Sequence, residues 1–356
     1  MKFTKLNEIQ IPTWRWLKLN STELEVDVEI DHPYEAAVVT SEDSNVSIEK
    51  AVNLPTIENI YRDVRRMYEF TLENKNFGLT ITIPKGITVT EPIMINFELN
   101  ETNPTLIDFI HIKAEEGSCA DIIVTYHSTG AGNYFHDGFA YIQADSSSHV
   151  RLIKTQMLQV NDIHIDNNAV EVKSSGQGDV ILCELGGGQV VAGCNIVLSG
   201  AKSRSDLQSI YIGDKERKLD FNYRMELRGK ESEGKILVRG ALADHAKKSL
   251  KSNIDFISGA TASKGSEEET VLTLSENAVN LSVPLLLCGE DNVEGSHATS
   301  SGKPSPSKLF YLMSRGLSEK QAKQLLIKAQ FTPILDNISS DSLKNTVQER
   351  IREVLA

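Results

Sequence analysis

The sequence predicts a mainly β body followed by a small C-terminal α-helical appendage, and three observations carry that prediction. Short runs rich in β-branched residues, each ended by Gly, Asn, Asp or Ser, follow one another from about residue 20 to 293. Almost no helical periodicity intervenes over that span, which excludes a doubly wound α/β fold. After Gly302 the pattern changes to helix caps and helical spacing. A sandwich, a barrel and a β-solenoid all stay open on pattern alone, because no repeat of fixed period is visible. The short runs and the low aromatic content, 6%, suit a solenoid, whose interior fills with ladders of Val, Ile, Leu and Ala.

In chain order, residues 1–20 form an N-terminal segment in which Trp14 and Trp16 straddle Arg15 just after Pro12. It reads as a docking segment, or as two indoles tucked onto the body. The β core spans 21–300, with strands in "LTITIPKGITVTEPIMINFEL", "CADIIVTYHS", "HVRLIKTQML", "NAVEVKSSGQGDVILCEL", "QVVAGCNIVLSG", "KILVRGAL", "TVLTL" and "NLSVPLLLCG". "EGSHATSSGKP" then reads as a Gly- and Ser-rich turn. The helical region spans 301–356. Ser305 supplies a capping hydroxyl and Pro306 a first-turn proline, Leu309, Phe310, Leu312 and Met313 follow, and Gly316 closes the helix in the left-handed conformation. Ser318 and Gln321 form a capping box, flanked by Leu317 and Ala322 at the staple positions. Ala322, Leu325, Leu326 and Ala329 fall at i, i+3, i+4 and i+7, one face of a second helix. A third helix opens near Ser340 and lines up Leu343, Val347, Ile351 and Leu355. Such short helices bury little alone, so their apolar faces dock on the β body or on another protein.

The 356 residues allow two domains, or one long domain with appendages. A formal charge of -12, spread along the chain, argues against nucleic-acid and membrane-surface partners. The N-terminus has no apolar stretch of signal-peptide length and no run long enough to span a membrane, so the expected location is the cytoplasm. Cys119, Cys183, Cys194 and Cys288 lack CxxC pairing and are expected to be buried thiols.

Several motifs fail on inspection. "SSGKP" lacks both the leading glycine of a phosphate loop, where His297 stands, and the hydroxyl after Lys303, where Pro304 stands. "ELGGGQV" has Val191 where a dinucleotide fingerprint needs glycine, and reads as a turn between strands. HExxH, GxSxG and EF-hand patterns are missing. Of eight histidines, only His297 has chemical company nearby in the chain: Cys288, Glu290, Asp291 and Glu294 lie within ten residues of it. Thiolate, imidazole and carboxylate in that combination could hold iron or zinc; acidic residues decorating a loop are the plain alternative.

The stretches "LCELGGGQV", "DLQSIYIGDKERKLDFNYRMELRGKESEGKILVRGAL" and "SHATSSGKPSPSKLFYLMSRGLSEKQAKQLL" resemble the SufB/SufD family of iron–sulfur cluster assembly proteins, clearly over roughly 180 to 330. "LFYLMSRGLSEKQAKQLL" is the most specific part, and "IPTWRWLK" is similar to the family's N-terminal approach. The resemblance implies a right-handed parallel β-helix with a helical C-terminal region. It also implies a SufC-like ABC ATPase partner docked on the C-terminal helices, which accounts for the missing nucleotide motif: this chain binds no nucleotide itself.

By the same resemblance, His297 matches a cluster-associated histidine, although it directly precedes Ala298 and Thr299 where the family usually has one residue between. A one-residue slip in an extended segment would turn its side chain to the other face. Cys288 is the nearest thiol and Glu294 an optional carboxylate, so these three are the candidate ligands of a transient iron–sulfur cluster. Leu309, Phe310, Leu312, Arg315, Gly316 and Leu325 are the candidate ATPase contacts. A shorter N-terminal region points to a compact variant, and few cysteines and histidines in the late coils lean towards a SufD-like chain, paired with a SufB-like subunit or with itself. The expected role is a non-enzymatic assembly scaffold. The competing readings are a carbohydrate-active β-helix enzyme, which needs paired carboxylates and stacking aromatics, and a purely structural subunit without cluster ligands.

Overall fold

The computed structural model describes residues 1–11, 19–27, 33–51, 55–57, 60 and 62–354. Trp14, Trp16 and Leu355 lie outside them. Strands β1 (Lys2–Leu6) and β2 (Thr22–Glu25) form an antiparallel pair, followed by β3 (Val38–Thr40), β4 (Ser47–Lys50) and helix α1 (Arg62–Asn74). The chain then runs through β5 (Phe77–Ile83), β6 (Ile93–Leu99), β7 (Thr105–Ala114), β8 (Cys119–Ser128), β9 (Phe135–Ala144), β10 (His149–Met157), β11 (Ile163–Val172) and β12 (Gln177–Glu184). It continues through β13 (Gln189–Leu198), β14 (Arg204–Gly213), β15 (Lys218–Leu227), β16 (Glu233–Leu242), β17 (Lys247–Phe256), β18 (Ser263–Thr273), β19 (Val279–Cys288) and β20 (Val293–Gly302). Helices α2 (Pro306–Ser314), α3 (Glu319–Leu335) and α4 (Asp341–Val354) follow.

Odd-numbered strands from β5 to β19 pair in parallel in one sheet and even-numbered strands from β6 to β20 in the other, with β4 and β3 added antiparallel at the starting edges. The result is a parallel β-solenoid of about eight turns, the fold class that the family resemblance implied. Its interior is a ladder of Ile, Val, Leu and aromatic side chains contributed by both sheets, from Ile81 to Val271. The corners repeat in geometry more than in sequence: Ser147, Ser175, Lys202, Glu231 and Ala262 all adopt positive φ, and each amide donates to a carbonyl of the next coil. After them come buried Ser148, Ser203, Ser232 and Ser263. Ser148, Ser203 and Ser232 donate a hydroxyl hydrogen bond to the carbonyl three residues back, at 2.7, 2.7 and 2.9 Å.

Both outer faces carry an apolar area that the chain itself covers. On the odd-numbered sheet, Phe3, Leu6, Leu24 and Val26 of the N-terminal pair pack with Met67 of α1 against Ile107, Phe135, Ile165 and Val191. Helix α1 is a correction to the expectation of almost no helical periodicity in this span. Its signal is present in the sequence, because Val64, Met67, Tyr68 and Thr71 stand at i, i+3, i+4 and i+7 and all four are buried.

On the even-numbered sheet, α3 and α4 lay Ile327, Phe331, Ile334, Leu335, Leu343, Val347 and Ile351 over Ile123, Ile153, Ile181, Ile210 and Leu237. Polar ties fix the register: Gln330 Nε2 donates to Thr270 O at 2.7 Å, and Arg350 Nε to Leu185 O at 3.1 Å. Leu343, Val347 and Ile351 of the third-helix stripe are therefore buried as expected, whereas the second-helix face is seen only in part, with Ala322 buried and Leu326 half-buried. Leu325 and Ala329 are exposed, and Ile327 and Phe331 take the buried side. At 3.6 residues per turn Ile327 lies about 200° round from Leu325, and the face that wins is the one with more branched and aromatic area to remove from water.

Two further expectations change. "EGSHATSSG" is not a turn but most of β20, a ten-residue strand whose Gly, Ser and Thr content is tolerated because it pairs in register with β18. Only Cys183 and Cys194 are fully buried; Cys119 is half-buried and Cys288 exposed.

Docking of α3 predicts a measurable cost for its largest anchor. Phe331→Ala lowers the unfolding free energy by about 3–5 kcal/mol, read by urea denaturation, whereas a change within about 0.5 kcal/mol would mean that the helix is not packed on the sheet in solution.

Candidate functional site

The last coil is where the candidate ligands lie. β19 and β20 are the terminal strands of their sheets, so each is paired on one side alone among the described residues. In parallel register a residue shares its face with the residue it pairs with in the coil before. Cys288 pairs with Phe256, a core residue, and thus ends an interior-facing column. His297 pairs with Glu267, whose carboxylate accepts a hydrogen bond from Ser252 across the interior. Two residues earlier, a Cβ on Gly295 would meet Leu286 and Phe256 at 3.0 and 3.1 Å, which marks the same face as inward. His297 therefore belongs to an interior column that no further coil covers among the described residues. Glu294 belongs to the opposite face, where it pairs with Lys264 at 3.0 Å. Among the described residues no three His, Cys, Asp or Glu side chains are grouped to hold a metal ion.

Beyond the last coil, α2 buries no residue. Pro306 sits in its first turn as expected, but the Ser305 hydroxyl makes no cap and instead meets Ser307 Oγ at 2.8 Å. Gly316, at φ +97°, ends the helix in the conformation that favours glycine. The Ser318–Gln321 capping box then starts α3, with both reciprocal bonds formed, at 2.8 and 3.2 Å. Leu309 and Leu312 are half-buried, while Phe310 and Tyr311 are 75% and 57% exposed and Met313 is exposed beside them. Arg315 lies over the Tyr311 ring, 5.3 Å from its centroid. Among the candidate partner contacts, Phe310, Arg315, Gly316 and Leu325 are thus open to solvent.

The interior holds a polar cluster that the sequence reading missed. His136 and His164 are neighbours on adjacent odd-numbered strands, their rings stacked with centroids 4.7 Å apart. Asp108, Asp166, Lys154 and Glu184 surround them, all buried. Lys154 Nζ and Asp166 Oδ1 form an ion pair at 2.5 Å. Burial pushes Asp108 up to about 7 and Glu184 up to about 8, and lowers His136 to about 3. Gly138 makes room: a Cβ there would stand 2.7 Å from Asp166 Oδ1 and 2.8 Å from His136 Cε1. The signal that could have found the cluster is His136 and His164 inside runs otherwise made of core residues.

Comparison with known proteins decides the family. Residues 97–330 match the family model described as SUF system FeS cluster assembly, SufBD core domain. The chain belongs to the SufBD family. It is 25% identical over 271 residues to the iron–sulfur cluster assembly protein SufD of Bacillus subtilis, covering 76% of this chain and 62% of that one. A SufBD family protein of Staphylococcus saprophyticus is 24% identical over 72% of this chain and 55% of its own length, and one of Pyrococcus horikoshii is 25% identical over 74% and 59%. The chain thus matches roughly 55–62% of the length of these relatives.

In this SufBD-family chain, Asp137 gives the clearest pH signature. Its Oδ2 lies 2.8 Å from Thr71 Oγ1, which is also 2.8 Å from Met67 O. One hydroxyl proton cannot serve both acceptors, so the contacts close when Asp137 is protonated and donates to Thr71. Burial raises its pKa to about 8. The native state then holds a proton that the unfolded chain releases near pH 4. The stabilisation is full below about pH 4 and is lost as pH rises through about 8. Asp137→Asn flattens the decline of unfolding free energy between about pH 5 and 7 by up to about 1.4 kcal/mol per pH unit; an unaltered slope in urea titrations would contradict the assignment.

Proposed function

We propose that this chain is a non-catalytic scaffold subunit of a cytoplasmic SUF-type assembly complex, gripping a SufC-like ABC ATPase through α2 and presenting its last coil to a second subunit. The observation that carries the reading is α2 itself: a helix with no buried residue, displaying Phe310, Tyr311 and Met313 next to two helices that are fully docked. A monomer gains nothing from three neighbouring exposed apolar side chains, whereas an aromatic-rich patch of that kind suits a partner's pocket.

The second subunit, SufB-like or a copy of this chain, fits the unpaired edges of β19 and β20, which offer rows of backbone donors and acceptors. The iron–sulfur cluster is cargo at that junction. Cys288 and His297 supply a soft thiolate and a borderline imidazole from interior columns of the last coil, a donor pair suited to iron, and the partner supplies the remaining ligands. Glu294, on the other face and held by Lys264, is set apart from them. Nucleotide-driven closure of paired ATPases moves the junction only to the extent that the closed ATPase binds one geometry better than the other.

The family assignment argues against a carbohydrate-active enzyme, as does the outer groove on the even-numbered sheet, which is lined by Gln177, Arg204, Asp206, Glu233, Lys235 and their neighbours without an aromatic ring.

Co-expression with a tagged SufC-like ATPase tests the handle. Phe310→Asp weakens copurification by about 30-fold, the loss of one hot spot worth about 2 kcal/mol, with the thermal stability of the free chain unchanged. Undiminished copurification sinks the assignment of α2. Anaerobic iron and sulfide reconstitution of the same complex tests the ligands: His297→Ala and Cys288→Ser each lower cluster absorbance while the ATPase stays bound, and wild-type absorbance in both variants removes them as ligands.

A further inference from the structure

The proposed ligands leave one buried carboxylate near the open end of the solenoid only half satisfied. In "SEEET", strand alternation sends Glu268 outward, where Arg239 Nη2 donates to it, and turns Glu267 and Glu269 inward, 4% and 1% exposed. An ionised carboxyl buried to that degree needs a cation and a donor for each oxygen. Glu269 has its cation: Lys248 Nζ donates to Glu269 Oε1, and to Asn280 Oδ1 and Ser282 Oγ at 2.9 Å each. Those contacts use the three hydrogens of the ammonium, so none is left for Glu267.

Glu267 Oε1 accepts from Ser252 Oγ, while Oε2 has no hydrogen-bond partner among the described residues. Protonation removes the charge but brings Oε2 no partner. His297 is the neighbour placed to share the site. The two residues pair in register on β18 and β20 with both side chains on the inward face, and β20 has no strand beyond it among the described residues. Yet His297 does not donate to Oε2. Side chains on adjacent strands, about 4.8 Å apart at the backbone, can instead converge on one ion with bonds of about 2.1 Å to a carboxylate oxygen and an imidazole nitrogen.

We propose that Glu267 and His297 together receive one iron(II) ion on the free chain, before sulfide and the second subunit complete a cluster. The inference deepens the scaffold reading and rests on it at one point, the role of His297 as a ligand. Carboxylate oxygen and imidazole nitrogen suit divalent iron, and the ion supplies the cation that Glu267 lacks. Two donors do not close a coordination shell, so water fills the other positions and leaves them open to exchange. Cys288 ends a column of the other sheet, and this first iron carries oxygen and nitrogen donors without a thiolate. Glu269 Oε2 also lacks a hydrogen-bond partner, but Lys248 neutralises that carboxylate and its register partner, Thr299, offers only an uncharged hydroxyl.

Anaerobic titration calorimetry of the full chain with ferrous sulfate, without the ATPase, tests the site in wild type, Glu267→Gln, His297→Ala and Glu268→Gln, with circular dichroism confirming each fold. Wild type is expected to bind one iron per chain. Glu267→Gln and His297→Ala each weaken binding by at least about 10-fold, and Glu268→Gln, changed on the outer face, binds as wild type does. No binding by wild type, or equal affinity in wild type and Glu267→Gln, overturns the proposal. Should His297→Ala weaken binding when Glu267→Gln does not, Glu267 is removed and His297 stands as a ligand. Weakening by Glu267→Gln alone removes His297 from the site and overturns the pair. X-ray absorption of iron-loaded wild type reads the same site without a variant: an oxygen and nitrogen shell with one imidazole is expected. A sulfur neighbour, which would place the iron on Cys288, or a shell without imidazole overturns it.

Discussion

Each strand of the solenoid takes its backbone hydrogen bonds from the coil before and the coil after, and the rest of the molecule follows from that constraint. A coil is not stable alone, so stacking propagates until a strand has no successor. Among the described residues that occurs at β19 and β20, which end the two sheets and leave Cys288 and His297 on columns with no next layer. The same stacking produces two broad apolar outer faces, and the chain closes both itself, with the N-terminal pair and α1 on one and α3 and α4 on the other. Among the described residues, the open edges of the last coil and α2 are left without a covering element of this chain.

A parallel stack also brings chemically related side chains into register across long stretches of sequence. His136 and His164 are 28 residues apart in the chain and touch in space. Further along, Lys248 and Glu269 form a second fully buried ion pair, with Tyr211 Oη donating to the same carboxylate at 3.3 Å. Buried charges of this kind cost several kcal/mol each to desolvate and persist because partners on adjacent coils are held in place by the ladder. The interior is therefore not only an aliphatic core; polar tracts alternate with the Ile, Val and Leu ladders.

Much of this was legible in the sequence, and the exceptions have physical causes. Strands such as Cys119–Ser128 and Val279–Cys288 announce themselves by β-branched runs, and the Ser318–Gln321 box and Gly316 mark helix ends through local backbone chemistry. The repeat was hidden because the left-handed corner is filled by Ser, Lys, Glu or Ala at successive coils, so geometry recurs while residue type does not. β20 was concealed because its Gly- and Ser-rich composition mimics a turn, and only pairing with β18 makes it a strand. For the candidate site, proximity along the chain grouped Glu294 with His297, but strand alternation sends the two to opposite faces; no reading of spacing without the strand could separate them. Conversely, His136 and His164 lacked local company because their carboxylate neighbours come from other coils.

The C-terminal helices divide their labour: α3 and α4 pack on the body, whereas α2 buries no residue and is the helix proposed to bind a partner. Native-state hydrogen exchange on the full chain, with and without the SufC-like ATPase, measures it directly. Slow exchange is expected in α3 and α4 in the free chain, with fast exchange in α2 and protection of α2 when the ATPase is added. Fast exchange throughout all three helices in the free chain, or an α2 that stays unprotected in the complex, would contradict it.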